Sequence, residues 1–596
     1  MTIAKSIFYK RTLMLRFRSR QIIFLLTIFI ACEAKSQGFL KANAKRIVNE
    51  KGENILLRGM GLGGWMLQEG YMMKVRGQGQ QHRIKSRLIE LIGAEKTENF
   101  YSAWLSNHTR KIDIDSMKAW GFNSVRLPMH YNLYTLSVEM EPVKGENTWI
   151  EKGFQITDSL LAWCKANRMY LILDLHAAPG GQGNDLNISD RDPTKPSLWE
   201  SEANQQKTIA LWKKLAQRYA KEPWIGGYDI LNEPNWGFED LANDKNGLKE
   251  KKNEPLKKLM IAITAAIREA DKNHIIIIEG NGWGNNYKGI LPTWDDNMVI
   301  SFHKYWNYND QASIQYILDA RDKYNVPVWL GETGENSNVW FADAVQLLEK
   351  NNIGWAWWPL KKLGNNNPMQ IKSNPDYEKI LAYWSGEGSK PTETEAYNGV
   401  MNLAISAKLE NTMIKRDVMD ALFRQPHSPT SIPFKTNTII NGGVLNAVDY
   451  DLGRNGIAYY DVDTATYHVS TGKRETWNRG NSYRNDGVDI SVDSLNKTTY
   501  YISHIENGEW LQYTLNVTNA GIYDLKFICV AKNQVGKFSI IVNNNLSQPI
   551  DIPKANEWKT VEVKNINLNK GENKLRLVVE QGGFDLKSIQ FVEANK

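Results

Sequence analysis

The sequence predicts an α/β chain: a (β/α)8 TIM barrel followed by an all-β, jelly-roll-like sandwich. Three observations carry that prediction. Between residues 55 and 361, eight apolar runs alternate with segments whose apolar residues recur at helical spacing. A Pro/Ser/Thr cluster, Gln425-Pro426-His427-Ser428-Pro429-Thr430-Ser431-Ile432-Pro433, then interrupts the pattern. Beyond it come short alternating runs separated by Asn and Gly. At 596 residues the chain exceeds one ordinary core, so a division into domains is required.

Residues 1–36 read as a signal peptide. They hold seven Lys/Arg and one acid, and the basic lead precedes an apolar run from Ile22 to Ile30 that is too short for a comfortable membrane span. Cleavage after Ser36 makes the protein secreted or periplasmic; the alternative is a lipid anchor at Cys32. Without this segment the formal charge of +7 falls to +1, which removes the support for a nucleic-acid partner. Cys164 lies in a helical pattern and Cys529 in a strand-like one, so two buried free thiols are expected rather than a disulfide. No Cys or His spacing fits a metal site. The mature chain is expected to be a monomer with no membrane span.

The eight runs are 55–61, 124–129, 169–176, 226–233, 274–280, 298–305, 326–332 and 353–360. Strands of a closed parallel sheet are buried on both faces and so read as nearly continuous apolar text. Helical spacing fills the gaps, as at 205–220 and 255–270. An open doubly wound sheet is the alternative, but no Gly-rich phosphate loop follows the first run. Helical patterning from 377 to about 424 is expected to close the barrel. The expected domains are thus the barrel at 40–425, a linker at 426–439 and a sandwich at 440–594. The sandwich strands fall at 511–517, 522–530, 537–542, 560–568 and 574–579.

Two runs, the fourth and seventh, end in a Glu beside a turn: Asp229-Ile230-Leu231-Asn232-Glu233-Pro234 and Trp329-Leu330-Gly331-Glu332-Thr333-Gly334. Acids at one rim of a barrel can face a single bond from opposite sides. A lone rim acid is explained as well by helix capping. This pair is accompanied at other strand ends by Arg126, His176, Asn232, His303, Tyr305 and Trp358. Glu335 and Glu279 are competing acids nearby, and His274 reads as a structural histidine.

On these residues the segment 40–425 resembles a glycoside hydrolase family 5 barrel. That family's eight recurrent active-site residues are Arg, His, Asn, Glu, His, Tyr, Glu and Trp, and Arg126, His176, Asn232, Glu233, His303, Tyr305, Glu332 and Trp358 match them in order. The resemblance implies retaining hydrolysis, with Glu233 as acid/base and Glu332 as nucleophile. Physically, Arg126 and Tyr305 can donate to Glu332, Asn232 can grip a sugar 2-hydroxyl, and Trp358 offers a flat face to a pyranose ring. Leu62-Gly63-Gly64-Trp65-Met66-Leu67-Gln68-Glu69 and the stretch from Asp174 to Gln182 are similar to the exo-β-1,3-glucanase branch, in which a Glu at the position of Glu69 contacts the terminal glucose. Thr333-Gly334-Glu335-Asn336 departs from that branch, and Gly63-Gly64 reads equally well as a tight turn.

Residues 440–594 are similar to carbohydrate-binding modules of family 6, on the stretches Tyr483–Ile490, Gly508–Tyr513 and Ala520–Tyr523. The resemblance implies a sugar sandwiched between Tyr483 and Trp558, with Asp585 where many members have Asn and Trp510 in the core. The opening Leu445-Asn446-Ala447-Val448-Asp449-Tyr450 lacks acids usual in that family, which leaves a structural calcium doubtful; no other cofactor is required. The expected function is cleavage of β-glucosidic bonds in a β-glucan, β-1,3 or β-1,6 favoured, by double displacement. A β-1,4-glucanase or mannanase is the enzymatic alternative, and a catalytically weak polysaccharide-capture protein the other. The module is expected to be separable, so that truncation from about residue 430 spares activity on short soluble oligosaccharides.

Overall fold

Eight parallel strands close on themselves in the computed structural model, which describes residues 38–465 and 477–594. The expected signal segment and the alternative lipidation position at Cys32 lie outside the described residues. The strands are β1 (Arg58–Gly61), β2 (Ser124–His130), β3 (Tyr170–Ala177), β4 (Ile225–Asp229), β5 (Ile276–Glu279), β6 (Met298–Lys304), β7 (Val328–Gly334) and β8 (Gly354–Trp358). Each overlaps one predicted run. Two boundaries differ where it matters: β4 stops at Asp229, leaving Glu233 in the following turn, while β7 runs past Glu332 to Gly334. Every residue of β2, β3, β6 and β7 is buried, as expected of strands sandwiched between barrel interior and helices.

The intervening helices include α1 (Gln81–His108), α2 (Lys111–Trp120), α3 (Glu151–Ala166), α4 (Glu202–Tyr219), α5 (Glu254–Ala270), α6 (Gln311–Tyr324) and α7 (Asn338–Lys350). Ser201, Asp310 and Ser337 cap α4, α6 and α7 by accepting first-turn backbone N–H groups. The helices predicted beyond 377 exist as α8 (Pro375–Trp384), α9 (Glu393–Ser406) and α10 (Arg416–Phe423), but they do not close the barrel. Closure is made by the β8–β1 ladder, because only a strand has free backbone groups to pair with a strand. Helices α8 and α9 pack on α1 around Leu88, Phe100, Trp104, Tyr377 and Leu403, a core separate from that of the barrel. Cys164 and Cys529 are free and buried. Among the described residues no helix is long and apolar enough to cross a membrane.

The C-terminal region is a mostly antiparallel β-domain of two sheets. Its principal strands are β9 (Asn437–Ile439), β10 (Val444–Asn446), β11 (Ile490–Val492), β12 (Tyr500–Ile502), β13 (Trp510–Val517), β14 (Gly521–Val530), β15 (Gly536–Val542), β16 (Lys559–Leu568), β17 (Gly571–Gln581) and β18 (Asp585–Glu593). One sheet runs β9-β13-β17-β15 and the other β11-β12-β18-β14-β16. Alternation along β13 sends Leu511, Tyr513, Leu515 and Val517 into the core. Trp510 has the opposite parity, so contrary to expectation it lies outside that core, under the guanidinium of Arg576 at 3.9 Å from the ring centre.

The segment read as a linker is docked along its length. Ile432 pairs with Leu452, the last three residues of the assigned span form β9, and the Arg424 side chain ties Asp420 to the Thr430 carbonyl. Barrel and module then share a buried polar seam. The Asn338 N–H donates to the Asn485 carbonyl (3.0 Å), and Asn338 Nδ2 donates to Asp417 (2.9 Å) and Asp486 (2.8 Å). Asn485 Nδ2 donates to the Asn336 carbonyl (2.8 Å), its N–H donates to Asp417 (2.6 Å), and Ser337 Oγ donates to the Ala465 carbonyl (2.5 Å). Buried polar groups left without these partners are costly, which argues against the separability read from sequence. Asn485→Ala should therefore destabilise the chain by about 1–3 kcal/mol, measured by chemical denaturation. Truncation at residue 430 should lower the melting temperature of the remaining barrel, read by calorimetry, because it strips partners from Asn336, Asn338 and Asp417.

Candidate active site

At the C-terminal rim of the barrel a cleft of about 610 Å³ is lined by Glu69, His176, Glu233, His303, Tyr305, Glu332 and Trp358, all predicted from sequence. Arg126 and Asn232 lie beneath it, both fully buried. All nine predicted barrel residues thus converge. Arg126, on β2, is the centre of the floor. Its Nη1 donates to Glu332 (2.8 Å), Nη2 to Asn232 Oδ1 (2.8 Å) and Glu279 (3.1 Å), and Nε to Asp229 (3.0 Å), while Asp174 lies 3.2 Å away. Burial works against its charge, but the surrounding carboxylates raise its pKa well above the ordinary value.

His176 is fixed by the same floor. Its Nδ1 is 2.8 Å from Asp174, and its Nε2 faces Asn232 Nδ2 at 3.3 Å, so Nδ1 donates and Nε2 accepts. Burial pushes its pKa down to about 3, keeping it neutral. The ring stacks on Trp358, centres 5.0 Å apart and planes 7° from parallel. Trp358 Nε1 donates to the Tyr71 hydroxyl (3.0 Å). A Cβ on Gly61 or Gly63 would sit 2.4 or 2.6 Å from the Trp358 ring. The glycines at and just beyond the end of β1 therefore admit this indole, and Gly64 supplies the turn with φ +82°.

The second wall carries the proton chemistry. Glu233 has φ +41° before a proline, a conformation a non-glycine residue adopts only when its surroundings impose it. Here the Glu233 N–H donates to Glu279 (2.7 Å), and the His303 Nδ1 is 2.6 Å from Glu233 Oε1. His303 Nε2 stands 3.2 Å from Glu279. Burial opposes charge on His303, yet Glu279 and Glu233 together lift its pKa well above the ordinary value. Burial also raises Glu233, against the pull of His303. Glu332 is raised by burial too, but Arg126 and the Tyr305 hydroxyl (2.9 Å) both donate to its ionised form. Ligand atoms of Glu233, His303 and Glu332 lie within 4.8 Å of one another. Three such atoms could also attract a cation, but both ring nitrogens of His303 already face carboxylates, an arrangement that holds a proton.

Of the competing acids, Glu279 is a partner of Arg126, His303 and the Glu233 backbone, and Glu335 pairs with Lys362 at 2.5 Å. His274 is structural, with Nδ1 on Asp271 (2.5 Å) and Nε2 on the Glu222 carbonyl (3.0 Å). Glu69 is buried in the cleft, 3.9 Å from His176 Nε2, and burial raises its pKa well above the ordinary value, with Glu332, Glu335 and Glu233 adding to it. Sequence reasoning missed Tyr71, Asp185, Trp283, Trp306 and Asn307, which also line the cleft. Two of them carried a signal of proximity, since Tyr71 lies two residues after Glu69 and Trp306 follows Tyr305.

In the module the predicted Tyr483–Trp558 pair does not form. Tyr483 packs beside Phe434 and Tyr500, its hydroxyl bonds Asp449 and Lys435, and its carbonyl receives Lys415 of the barrel. Trp558 instead meets Tyr501 (centres 5.3 Å apart) and the Lys587 ammonium. Tyr500 and Tyr501 are consecutive on β12, and consecutive strand residues face opposite ways. Asp585 stays on the Trp558 side: its charge acts on Tyr501, and it accepts the His504 backbone N–H.

A parallel barrel whose rim brings two buried carboxylates together over an arginine floor is a glycosidase architecture. Residues 86–364 match the family Cellulase (glycosyl hydrolase family 5), and residues 480–593 the family Carbohydrate binding module (family 6). Residues 86–364 are thus a family 5 glycoside hydrolase domain, and residues 480–593 a family 6 carbohydrate-binding module. The chain is 26% identical over 383 residues to a beta-xylosidase of Phanerodontia chrysosporium, covering 58% of this chain and 75% of that one. It is 25% identical over 313 residues to Endoglucanase C of Acetivibrio thermocellus, covering 42% and 83%. A glucan 1,3-beta-glucosidase of Candida oleophila is 24% identical over 294 residues, covering 46% and 63%.

The site makes a signed pH prediction. Loss of the Tyr305 hydroxyl removes a donor from ionised Glu332, so its pKa must rise. In Tyr305→Phe the acid limb of the kcat/KM profile should move up by roughly 0.5–1 pH unit, while the alkaline limb stays within experimental error.

Proposed function

We propose that the chain hydrolyses β-glucosidic bonds in a β-glucan with retention of anomeric configuration. The observation that carries this reading is the close approach of Glu233 and Glu332, whose oxygens come within 4.8 Å. Retaining enzymes hold their carboxyl groups about 5–5.5 Å apart, and inverting enzymes leave room for a water at about 6.5–9.5 Å. Glu332, held ionised by Arg126 and Tyr305, attacks the anomeric carbon. The proton kept by the Glu233–His303 pair goes to the departing oxygen. Glu233 then takes a proton from the water that releases the sugar from Glu332. Asn232, oriented by Arg126, addresses the 2-hydroxyl, and Trp358 forms the apolar floor.

β-1,3 or β-1,6 linkages are favoured. The stretch from Leu62 to Glu69 supports this, as does the position of Glu69 beside His176 in the cleft, and one relative is named a glucan 1,3-beta-glucosidase. A β-1,4-glucanase is the second reading, favoured by the relative named an endoglucanase. The signal layout supports export. The module would hold polymer through Trp558, Tyr501 and Asp585. We further propose that it needs no calcium at its opening acid, since Asp449 is engaged by the Lys435 ammonium (3.0 Å), Asn446 and Tyr483.

Incubation with laminarin, pustulan, cellulose oligomers and mannan, followed by product sizing, tests the substrate. Release from none of them would refute the reading. Glu332→Ala should lose nearly all activity, at least about a thousand-fold, with azide restoring turnover; Glu233→Ala should spare aryl glycosides with good leaving groups. Proton NMR showing inverted product anomers would exclude retention. EDTA should leave the melting temperature unchanged, and a drop reversed by calcium would overturn the calcium-free proposal.

A further inference from the structure

One residue that lines the cleft touches the module. Trp306, in the loop after β6 and next to Tyr305, lines the cleft with φ +48°, a left-handed backbone that an indole-bearing residue adopts only under constraint. Its ring faces Trp477 of the module, with centres 6.0 Å apart and planes 41° apart. Both residues are only partly buried. Trp477 Nε1 donates to Asn485 Oδ1 (3.2 Å), while Asn485 Nδ2 donates to the Asn336 carbonyl (2.8 Å). Asn336 lies four residues beyond Glu332, just past the end of β7. The second indole is thus held by the seam that docks the module onto the segment following β7.

We propose that Trp306 and Trp477 form a composite platform for further pyranose units of a glucan chain, so that the module completes the substrate cleft of the barrel. The inference rests on the reading that the cleft takes a β-glucan. Each indole presents a flat apolar surface to the CH face of a sugar, and the 41° tilt suits a chain that turns as it leaves the cleft. The platform is distinct from the surface around Trp558, which lies on the Tyr501 side of β12. It also gives the buried seam a functional consequence: a module tethered by a mobile linker could not hold one ring of a shared site in register with the other.

The test uses the full chain carrying Glu332→Gln, so that binding is read without turnover. Affinities for laminari- and cello-oligosaccharides of two to six units are measured by calorimetry. The expected result is an affinity that tightens about five- to ten-fold from the disaccharide to the hexasaccharide in at least one series. Adding Trp477→Ala or Trp306→Ala should erase most of that gain, and Trp477→Phe should retain most of it. The proposal falls if affinity does not depend on length. It falls equally if Trp477→Ala leaves the length dependence intact, or weakens all lengths alike as a purely structural residue would. Hydrolysis of the same oligosaccharides by the wild-type chain is scored separately. Its absence would refute the hydrolase reading, while the binding series still judges the platform.

Discussion

Arg126 is fully buried, and Asp174, Asp229, Glu279 and Glu332 stand 2.8–3.2 Å from its guanidinium. An isolated buried charge costs several kcal/mol, and breaking one of its pairs leaves the others uncompensated. The rest of the site depends on how this single cation is neutralised. One cation cannot balance four ionised acids in a dry interior, and burial raises Asp174 and Asp229 well above their ordinary pKa. Glu332 receives a guanidinium N–H and a tyrosine hydroxyl, both of which favour its ionised form.

Two chains of contact leave this centre. One passes through Asp174 to His176, Trp358 and Tyr71, and sets the orientation of the aromatic floor. The other passes through Glu279 to His303 and the backbone of Glu233. The first fixes a shape and the second keeps a proton in place. Their shared origin explains how two carboxylates close together can take different roles. Glu332 sits inside β7, against the arginine, whereas Glu233 sits in a strained turn against an imidazole. The hydrolase reading uses that difference in environment, since acid and nucleophile have the same side chain.

The docked module extends the same logic outward. The loop after Glu332 leads within a few residues to Asn336 and Asn338, whose polar groups are buried against Asn485 and Asp486. Lys415 of the barrel reaches the carbonyl of Tyr483, and Arg454 of the module reaches Asp343 at 2.7 Å. The catalytic rim is therefore supported on one side by the sandwich, which distinguishes this chain from a barrel with a module carried on a free tether.

The sequence by itself determined the barrel, because a doubly buried parallel strand has to be apolar along its length and eight such runs can be counted. It also pointed to nine barrel residues through the family resemblance, and the topology brings residues at and beyond the strand ends to one rim. Tertiary structure alone decided what depends on contacts between distant segments. That Glu279 serves His303 and Glu233, that Tyr483 packs on Phe434 and Tyr500 while Trp558 meets Tyr501, and that a Pro/Ser/Thr-rich segment is docked all follow from pairings between residues far apart in sequence. Local spacing records which residues share a strand face. It does not record which face of one sheet meets which loop of another domain, because that choice is made by packing and by the need to satisfy buried polar groups.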